Sequence, residues 1–411
     1  MSGTLDRRLG LPGSVAIGVS AMVGAGLFAV FAPAVEAAGD GVVVALVIAA
    51  LIAICNAISS ARLARRYPVA GGTYVYGRER LGPFWGYLAG WSFVAGKLAS
   101  CAAMGLVIGA YLWPQHDRVV AVAVIATVTA VNLSGVEKSA AVGVAIVSTV
   151  LVIVVVTIVA MSAAPAAPGS SDPATTRGVL EAAGLLFFAF AGYARLATLG
   201  EEVRRPERTI PRAIAIAVVL VVAVYTAAAL ALLHVLGTAG LAAASRPFVA
   251  GLEAAGADRL VPLVVVAAVA AAGGALLSLM LGVSRTTLAM ARDGHLPRVL
   301  AAVGARHRSP WAAEIAAGVA VVVLVLLGDL ATSIAFSSFC VLLYYAVANA
   351  SALTLPSGAA MRASAAAGLL GCLLLAVFLP RSTVAVGASV VAVGALVHLV
   401  RHARTRGTRT P

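Results

Sequence analysis

One hydrophobic stretch of this chain reads Gly13-Ser-Val-Ala-Ile-Gly-Val-Ser-Ala-Met-Val-Gly-Ala-Gly-Leu-Phe-Ala-Val-Phe31, with Gly24-Ala25-Gly26 at its middle. A second reads Leu185-Leu-Phe-Phe-Ala-Phe-Ala-Gly-Tyr-Ala-Arg195, with Ala191-Gly192-Tyr193 at a similar depth. A helix that unwinds inside lipid leaves backbone N–H and C=O groups unpaired, which is tolerated only against protein, water or a ligand. Two such segments at matching places in two halves of a chain are typical of the substrate site of a transporter. Close packing of neighbouring helices at the glycines is the alternative interpretation.

The composition is that of an integral membrane protein. Of the 411 residues, 62% are hydrophobic and 11% are charged, and the mean hydropathy of +1.03 lies outside the range of soluble domains. Because about 20 apolar residues cross the hydrocarbon core of a bilayer, we predict a single all-α transmembrane domain with about 12 transmembrane helices. The predicted spans are 12–35, 41–62, 84–113, 118–134, 139–162, 178–200, 211–236, 260–287, 311–328, 330–355, 363–380 and 383–400. The pairs at 311–355 and 363–400 are each divided by only a few residues, so eleven helices are the alternative.

The net charge of +13 follows the loops and does not indicate a nucleic-acid partner. If the N-terminus is cytoplasmic, 22 of the 29 Lys and Arg residues fall on the inner side. Five fall on the outer side, namely Arg118, Arg177, Arg246, Arg259 and Arg381. This bias follows the positive-inside rule and predicts a multi-pass protein of the cytoplasmic membrane with both termini in the cytoplasm. The basic excess also attracts anionic lipid.

The sequence contains no motif of enzyme chemistry. The six histidines are scattered, and neither a Ser-His-Asp nor a His-Glu-x-x-His arrangement is present, nor a G-x-x-x-x-G-K-[ST] loop for ATP. The cysteines lie inside predicted spans without Cys-x-x-Cys spacing, which favours small buried apolar roles; they are Cys55, Cys101, Cys340 and Cys372. We therefore expect no enzyme activity, no metal and no cofactor.

The order of the spans predicts an inverted repeat. The charge pattern has span 1 entering the membrane from the cytoplasm and span 6 entering from outside, so spans 1–5 and 6–10 have opposite orientation. The repeats would cover approximately 12–162 and 178–355, with additional helices at 363–400. This prediction rests on hydropathy and on the paired breaks, because the two halves share no strong residue-level similarity.

Three inner loops resemble those of a known transporter family. The first reads Arg65-Arg-Tyr-Pro-Val-Ala-Gly-Gly-Thr-Tyr-Val-Tyr-Gly77, the second Gly200-Glu-Glu-Val-Arg-Arg-Pro-Glu-Arg-Thr-Ile-Pro-Arg212, and the third Ser284-Arg-Thr-Thr-Leu-Ala-Met-Ala-Arg-Asp-Gly-His-Leu-Pro297. Together with Gly24-Ala25-Gly26 they resemble the amino acid–polyamine–organocation superfamily, and most of all its bacterial amino acid permeases and exporters. The resemblance implies a LeuT-like fold with helices 1 and 6 unwound and an amino acid as substrate.

The resemblance also implies a substrate site. The substrate carboxylate would face N–H groups of Ala25, Gly26 and Leu27, because a helix N-terminus offers unpaired donors and a positive dipole end. The amino group and side chain would face Phe188, Ala191 and Gly192, and Phe188 is where the family often has an aromatic cover. The full set of candidate substrate-binding residues adds Val23, Gly24, Tyr193 and Cys101.

Two departures from the family pattern concern charge. Many members have an acidic residue two positions after the span 6 glycine, where this chain has Ala194. A cationic substrate therefore lacks a counter-ion, and the neighbouring Arg195 disfavours it further. Arg195 is a candidate gate or charge partner; the alternative is a side chain that snorkels to the cytoplasm or pairs with Glu201 or Glu202. Span 5 also lacks the lysine that some proton-coupled relatives carry.

Lys97 is the candidate coupling residue. It lies near the middle of span 3, where an ionisable group is costly and is a functional hypothesis by default. In one interpretation it loads and releases a proton. In the other it is a fixed ammonium that hydrogen-bonds carbonyls of span 1 or span 8 and substitutes for a sodium ion. The sequence leaves both open.

The predicted function is secondary active transport of amino acids, by proton coupling or exchange. Neutral amino acids are the expected substrates, and the protein is expected to be a monomer or a homodimer. An amino acid exporter, a cationic amino acid or polyamine antiporter, and a non-transporting membrane scaffold remain as alternatives. A channel is disfavoured because the sparse polar residues form no continuous ring.

Overall fold

The computed structural model describes residues 9–68, 71–134, 140–168, 173–193, 196, 203–304 and 309–407. Within these ranges the regular structure is helical, apart from one isolated bridge between Leu9 and Val203. The helices are α1 Leu11–Met22, α2 Ala25–Ala29, α3 Phe31–Ala38, α4 Val42–Arg66, α5 Thr73–Leu81, α6 Pro83–Leu112, α7 Asp117–Leu133, α8 Ala140–Ser162, α9 Thr176–Phe190, α10 Pro206–Ala243, α11 Pro247–Ala254, α12 Val261–Arg292, α13 Trp311–Leu327, α14 Leu330–Leu353, α15 Ala359–Phe378 and α16 Arg381–Gly407.

Ten helical segments of the described residues are long and apolar enough to cross a membrane. Helix α13 is apolar but shorter, and the predicted span 178–200 is described as α-helix only as far as Phe190. The chain is thus a multi-pass membrane protein. The count of about 12 helices and the inverted repeat stay predictions.

Helices α6 and α14 form the centre of the bundle. Helix α6 has 30 residues, and most of its side chains are buried, including Lys97. It packs most extensively against α14 and α12. Close approach depends on small residues, because a Cβ on Gly96 would lie 2.8 Å from the Cβ of Cys340 on α14. This packing brings Lys97, the one Lys, Arg, Asp or Glu residue of α6, close to the other central helices.

A short helix covers one end of the bundle. Helix α10 is interrupted at Gly237, whose φ of 66° lies in the left-handed region that favours glycine. The chain then enters α11, where the fully buried Phe248 packs against Phe28 of α2 with ring centroids 5.2 Å apart. Helix α11 is therefore packed onto α2, the helix that follows Gly24.

The other end of the bundle carries the basic loops, and here the segment before α1 is held by a backbone hydrogen bond. The Arg204 N–H donates to the Leu9 carbonyl at 2.8 Å, which joins the residues before α1 to those before α10. We call this end, with residues 65–68, 71–80, 203–212 and 292–304, the basic end. The ends of α3 and α15 and the starts of α9, α14 and α16 lie at the opposite end.

Candidate functional site

The first helical span is interrupted at Val23 and Gly24. Helix α1 ends at Met22, the Val23 N–H still donates to the Val19 carbonyl at 2.7 Å, and Gly24 leaves the helical region with φ −55° and ψ −138°. Helix α2 then begins at Ala25. The first N–H groups of a helix have no partner within it, so this break places backbone donors inside the membrane-spanning part of the molecule.

The second break follows α9. This helix ends at Phe190 and continues as a single 3₁₀ turn over Ala191–Tyr193. The Ala191 carbonyl accepts two hydrogen bonds, from Lys97 Nζ at 3.4 Å and from the Tyr345 hydroxyl at 3.3 Å. The predicted positions Ala194 and Arg195, and the side chain of Tyr193, lie outside the described residues.

The two breaks are in direct contact at Gly192. A Cβ built on Gly192 would lie 2.3 Å from the Ala21 carbonyl oxygen and 2.6 Å from the Met22 nitrogen. No side chain fits in that space, so the glycine lets the backbone of one break lie on the backbone of the other. The structure thereby brings together the two segments that the sequence singled out.

Gly24 and Gly26 also lie at close contacts between helices. A Cβ on Gly26 would lie 2.9 Å from both the Ala189 Cα and the Tyr225 hydroxyl oxygen, and one on Gly24 would lie 2.8 Å from the Ala275 Cβ. These contacts agree with the packing interpretation of the glycines. The role of Ala25, Gly26 and Leu27 toward a carboxylate stays a prediction.

Lys97 differs from its expected surroundings. One interpretation of the sequence placed its ammonium on carbonyls of span 1 or span 8, whereas the structure gives it the Ala191 carbonyl of span 6. The physical reason is that Ala191 follows the last turn of α9, where carbonyl groups lack partners within the helix. Lys97 is 5% exposed, and among the described residues no carboxylate forms an ion pair with it.

Three tyrosines that the sequence analysis missed stabilise the breaks. Besides Tyr345 on Ala191, the Tyr225 hydroxyl donates to the Met22 carbonyl at 3.1 Å and the Tyr111 hydroxyl to the Phe28 carbonyl at 3.2 Å. Each hydroxyl satisfies a backbone acceptor near a helix interruption. The available signal was a tyrosine within an apolar helix, because a buried hydroxyl needs a partner.

The candidate side chains around the breaks are shielded from solvent. Cys101 lies one helical turn from Lys97 on α6 and is fully buried, and Phe188 on α9 is 8% exposed. Of the other described candidates, Gly192 is half-buried and the rest are buried, namely Val23, Gly24, Ala25, Gly26, Leu27 and Ala191. The structure therefore shows these residues in a closed arrangement.

A cavity of about 310 Å³ opens at the end opposite the basic loops. Its lining comes from the ends of α3, α9, α14 and α16, and includes Glu36, Glu181, Leu185, Thr332 and Thr383. Leu185 is three residues before Phe188 on the same face of α9. Phe188 thus lies one turn further into the molecule, between this cavity and the breaks.

At the basic end, the first and third family-like loops meet. The Tyr74 hydroxyl, from the Gly-Gly-Thr-Tyr motif, donates to Asp293 Oδ2 of the Arg-Asp-Gly-His motif, and Arg78 Nη1 donates to the same oxygen at 3.2 Å. His295 Nδ1 lies 3.0 Å from the Tyr74 oxygen. These hydrogen bonds therefore join the first and third motifs at the basic end. Among the described residues, no group of three or more His, Cys, Asp or Glu side chains could hold a metal ion.

The chain matches the sequence model of a transporter family. The model described as amino acid permease matches residues 9–380. This range contains both breaks, Lys97 and all three loop motifs, and it ends before α16.

Individual relatives agree with that match. An uncharacterized transporter of Mycobacterium tuberculosis (strain ATCC 25618 / H37Rv) is 55% identical over 98% of this chain and 93% of its own length. The branched-chain amino acid permease BcaP of Bacillus subtilis is 25% identical over 75% of this chain and 72% of its own. The cationic amino acid transporter 4 of Homo sapiens is 26% identical over 84% of this chain and 59% of its own. The chain belongs to the amino acid permease family of the amino acid–polyamine–organocation superfamily, and is a membrane transporter and not an enzyme.

Proposed function

We propose that this protein is a secondary active carrier of neutral amino acids, with its substrate bound between the two breaks. The observation that supports it is the Ala191 carbonyl, which already accepts from a buried ammonium group, that of Lys97. A carbonyl oxygen that accepts a hydrogen bond from one ammonium group can also accept one from another, such as the α-ammonium group of an amino acid. Carbonyls and N–H groups of broken helices together suit the two charged ends of a zwitterion.

Charge at the site favours a neutral side chain. The breaks at residues 21–27 and 188–193 contain no acidic residue. Within the part of the chain that the structure describes, the charged group bonded to them is the Lys97 ammonium. At an effective dielectric constant of about 20, two like charges 4 Å apart repel by about 4 kcal/mol. A cationic side chain would meet that repulsion without a counter-ion. The relatives do not decide between neutral and cationic substrates, because one is named a branched-chain amino acid permease and another a cationic amino acid transporter.

The proposal extends to the wider architecture. Two inverted repeats, 12–162 and 178–355, would enclose the site, and 363–400 would add two peripheral helices. The basic end would face the cytoplasm, as the loop charges favour. The cavity lined by Glu181 and Leu185 would then be the outer approach to the site.

A ligand panel on the purified protein tests the substrate class. Ligands that bind the native state raise the temperature of unfolding, so leucine, methionine and other neutral amino acids should raise it while arginine, lysine and putrescine should not. Labelled leucine should also exchange into liposomes that contain the protein. Stabilisation by arginine or putrescine alone would favour the cationic antiporter, and absence of flux for every ligand would favour the scaffold.

Two variants separate the charge of Lys97 from its hydrogen bond. Lys97→Gln removes the positive charge and keeps a donor. If the ammonium stays charged beside the bound substrate, the discrimination against arginine should weaken by tenfold or more, since tenfold corresponds to about 1.4 kcal/mol. If Lys97 instead gives up its proton when substrate binds, the discrimination should persist in this variant. Tyr345→Phe removes the neutral donor on the same carbonyl and leaves the charge, so the discrimination should persist. Equal discrimination in both variants would show that Lys97 does not set the substrate class.

A further inference from the structure

We propose that the Lys97 ammonium and the amino group of the substrate occupy the Ala191 carbonyl alternately, so that the protein exchanges a proton for an amino acid. This inference rests on the proposed amino acid transport and specifies its coupling. It selects antiport from the modes of coupling that the fold allows.

The Ala191 carbonyl accepts from two side chains among the described residues. A carbonyl oxygen has two lone pairs, and both are used, by Lys97 Nζ at 3.4 Å and by the Tyr345 hydroxyl at 3.3 Å. A substrate amino group at normal hydrogen-bond distance from this oxygen would therefore compete with the two side chains that donate to it.

Lys97 is the donor free to leave. Its charge sits on four flexible methylene groups, whereas Tyr345 is held by its ring and backbone. The Tyr345 ring packs edge-on against Phe187 at 5.8 Å, and its carbonyl accepts from the Asn349 amide at 3.0 Å. The tyrosine thus keeps its position while the lysine side chain moves.

Once Lys97 leaves the Ala191 carbonyl, its charged form is energetically unfavourable. Ala191 O is the hydrogen-bond partner found for Nζ among the described residues, and no carboxylate there pairs with it. The titratable group that interacts electrostatically with Lys97 is the Cys101 thiol, one turn away on α6. Glu314 on α13 interacts with Cys101, and the Tyr345 hydroxyl on α14 donates to Ala191. A buried ammonium without a partner is unfavourable, and an adjacent substrate ammonium repels it.

The proton balance follows directly. When the substrate amine binds Ala191 O, Lys97–NH₃⁺ becomes Lys97–NH₂ and its proton passes to water on the side to which the site is open. When a proton returns to Lys97 from the other side, the ammonium regains the carbonyl and the amino acid leaves. One proton and one amino acid therefore cross in opposite directions, and no other reactant is needed.

The first test uses the parent protein in liposomes with an imposed pH gradient. An acidic lumen should drive accumulation of labelled leucine, because protons leave as leucine enters. Purified protein in weak buffer should release about one proton per leucine bound, and its affinity should rise up to about tenfold per pH unit. Accumulation driven by an acidic exterior, or binding without proton release, would overturn the inference.

The second test uses variants of Lys97. Lys97→Ala should bind leucine without proton release and with an affinity independent of pH, and it should retain leucine exchange. Lys97→Arg should bind at least tenfold more weakly at every pH, because a guanidinium keeps its proton and stays on the carbonyl. Recovery of parental binding by Lys97→Arg would indicate a fixed cation and would overturn the alternation.

Controls separate this inference from the proposed function. Tyr345→Phe leaves the ammonium in place, so proton release should stay at about one per leucine bound even if the affinity changes. A parent protein that neither binds nor transports any of the twenty amino acids would overturn the proposed function, and the coupling with it. Amino acid binding without proton release would overturn the coupling alone.

Discussion

Glu314 is an acidic side chain buried in the bundle, 1% exposed in the first turn of α13. Its Oε1 accepts from the Asn132 amide of α7 at 2.7 Å, while its Oε2 has no hydrogen-bond partner among the described residues. A buried carboxylate with an unpaired oxygen is costly when charged. The contact with Asn132 thus needs the acceptor oxygen but not the negative charge.

Substitutions at Glu314 distinguish these two contributions. Glu314→Gln keeps an acceptor for Asn132 and removes the charge, so we expect the stability to change by less than about 1 kcal/mol. Glu314→Ala leaves the Asn132 amide unpaired and should cost about 1–3 kcal/mol. The temperature of unfolding measures both, and the exposed Glu253→Gln serves as the control. Equal destabilisation by Gln and Ala would show that the charge itself is required.

For Lys97, the sequence predicted a functional buried charge but not the Ala191 carbonyl to which it donates. A lone lysine in the middle of an apolar span is visible in the sequence because of its cost in lipid. Which carbonyl it reaches depends on how α6 lies relative to the end of α9, and no local pattern encodes that. The same reason explains why the sequence did not indicate the roles of Tyr225, Tyr111 and Tyr345. Each hydroxyl donates to a backbone carbonyl that is far away in the sequence.

Among the elements, the two breaks form a single contact through Gly192. The glycines in both spans predicted interruptions, and the structure interrupts the first span at Val23 and Gly24 and ends α9 at Phe190. The sequence did not show that these interruptions would touch, because their separation along the chain is large. That contact makes Gly192 sensitive to any added side chain.

Replacement of Gly192 by alanine tests the contact. Its Cβ would lie 2.3 Å from the Ala21 carbonyl oxygen, so the two backbones must separate, at a cost of about 1–3 kcal/mol for an overpacked site. We expect a lower temperature of unfolding and loss of leucine transport. Gly143→Ala on α8 is the matched control, since nothing lies within 4 Å of that position and alanine favours the helix by about 0.5–1 kcal/mol. Parental stability and transport in Gly192→Ala would contradict the contact.

For the whole molecule, the basic end joins three distant parts of the chain. Tyr74 and Arg78 of α5 meet Asp293 in the loop after α12. Helix α16, outside the match to the family, adds His398, whose ring lies 5.7 Å from that of His295, and Arg401, which donates to the Gly294 carbonyl at 2.8 Å. The loop motifs predicted the family, but the contribution of α16 follows only from the packed structure.

We call these contacting side chains the basic-end cluster; they are Tyr74, Arg78, Asp293, His295, His398 and Arg401. This cluster predicts how the stability of the protein depends on pH. Burial, the adjacent His398 and the Arg78 and Arg401 guanidiniums lower the pKa of His295, and Asp293 opposes them in part. The Tyr74 proton is donated to Asp293, so His295 Nδ1 donates to the Tyr74 oxygen and the neutral ring fits the cluster. A lowered pKa means that the unfolded chain takes up this proton first as the pH falls. The stability from His295 is thus present above its ordinary pKa of about 6.5 and is lost as the pH falls below it.

Thermal unfolding at two pH values measures this loss. From about pH 7.5 to about pH 5.5, the parent protein should lose more stability than His295→Gln, which has no proton to gain there. His116→Gln, at an exposed histidine near the opposite end, should follow the parent. Because the contacts of the basic-end cluster link α5, the loop after α12 and α16, their weakening should also increase the labelling of a cysteine introduced at the half-buried Leu296 when the pH falls. An identical loss of stability in the parent and in His295→Gln would show that other groups govern the acid sensitivity of this end.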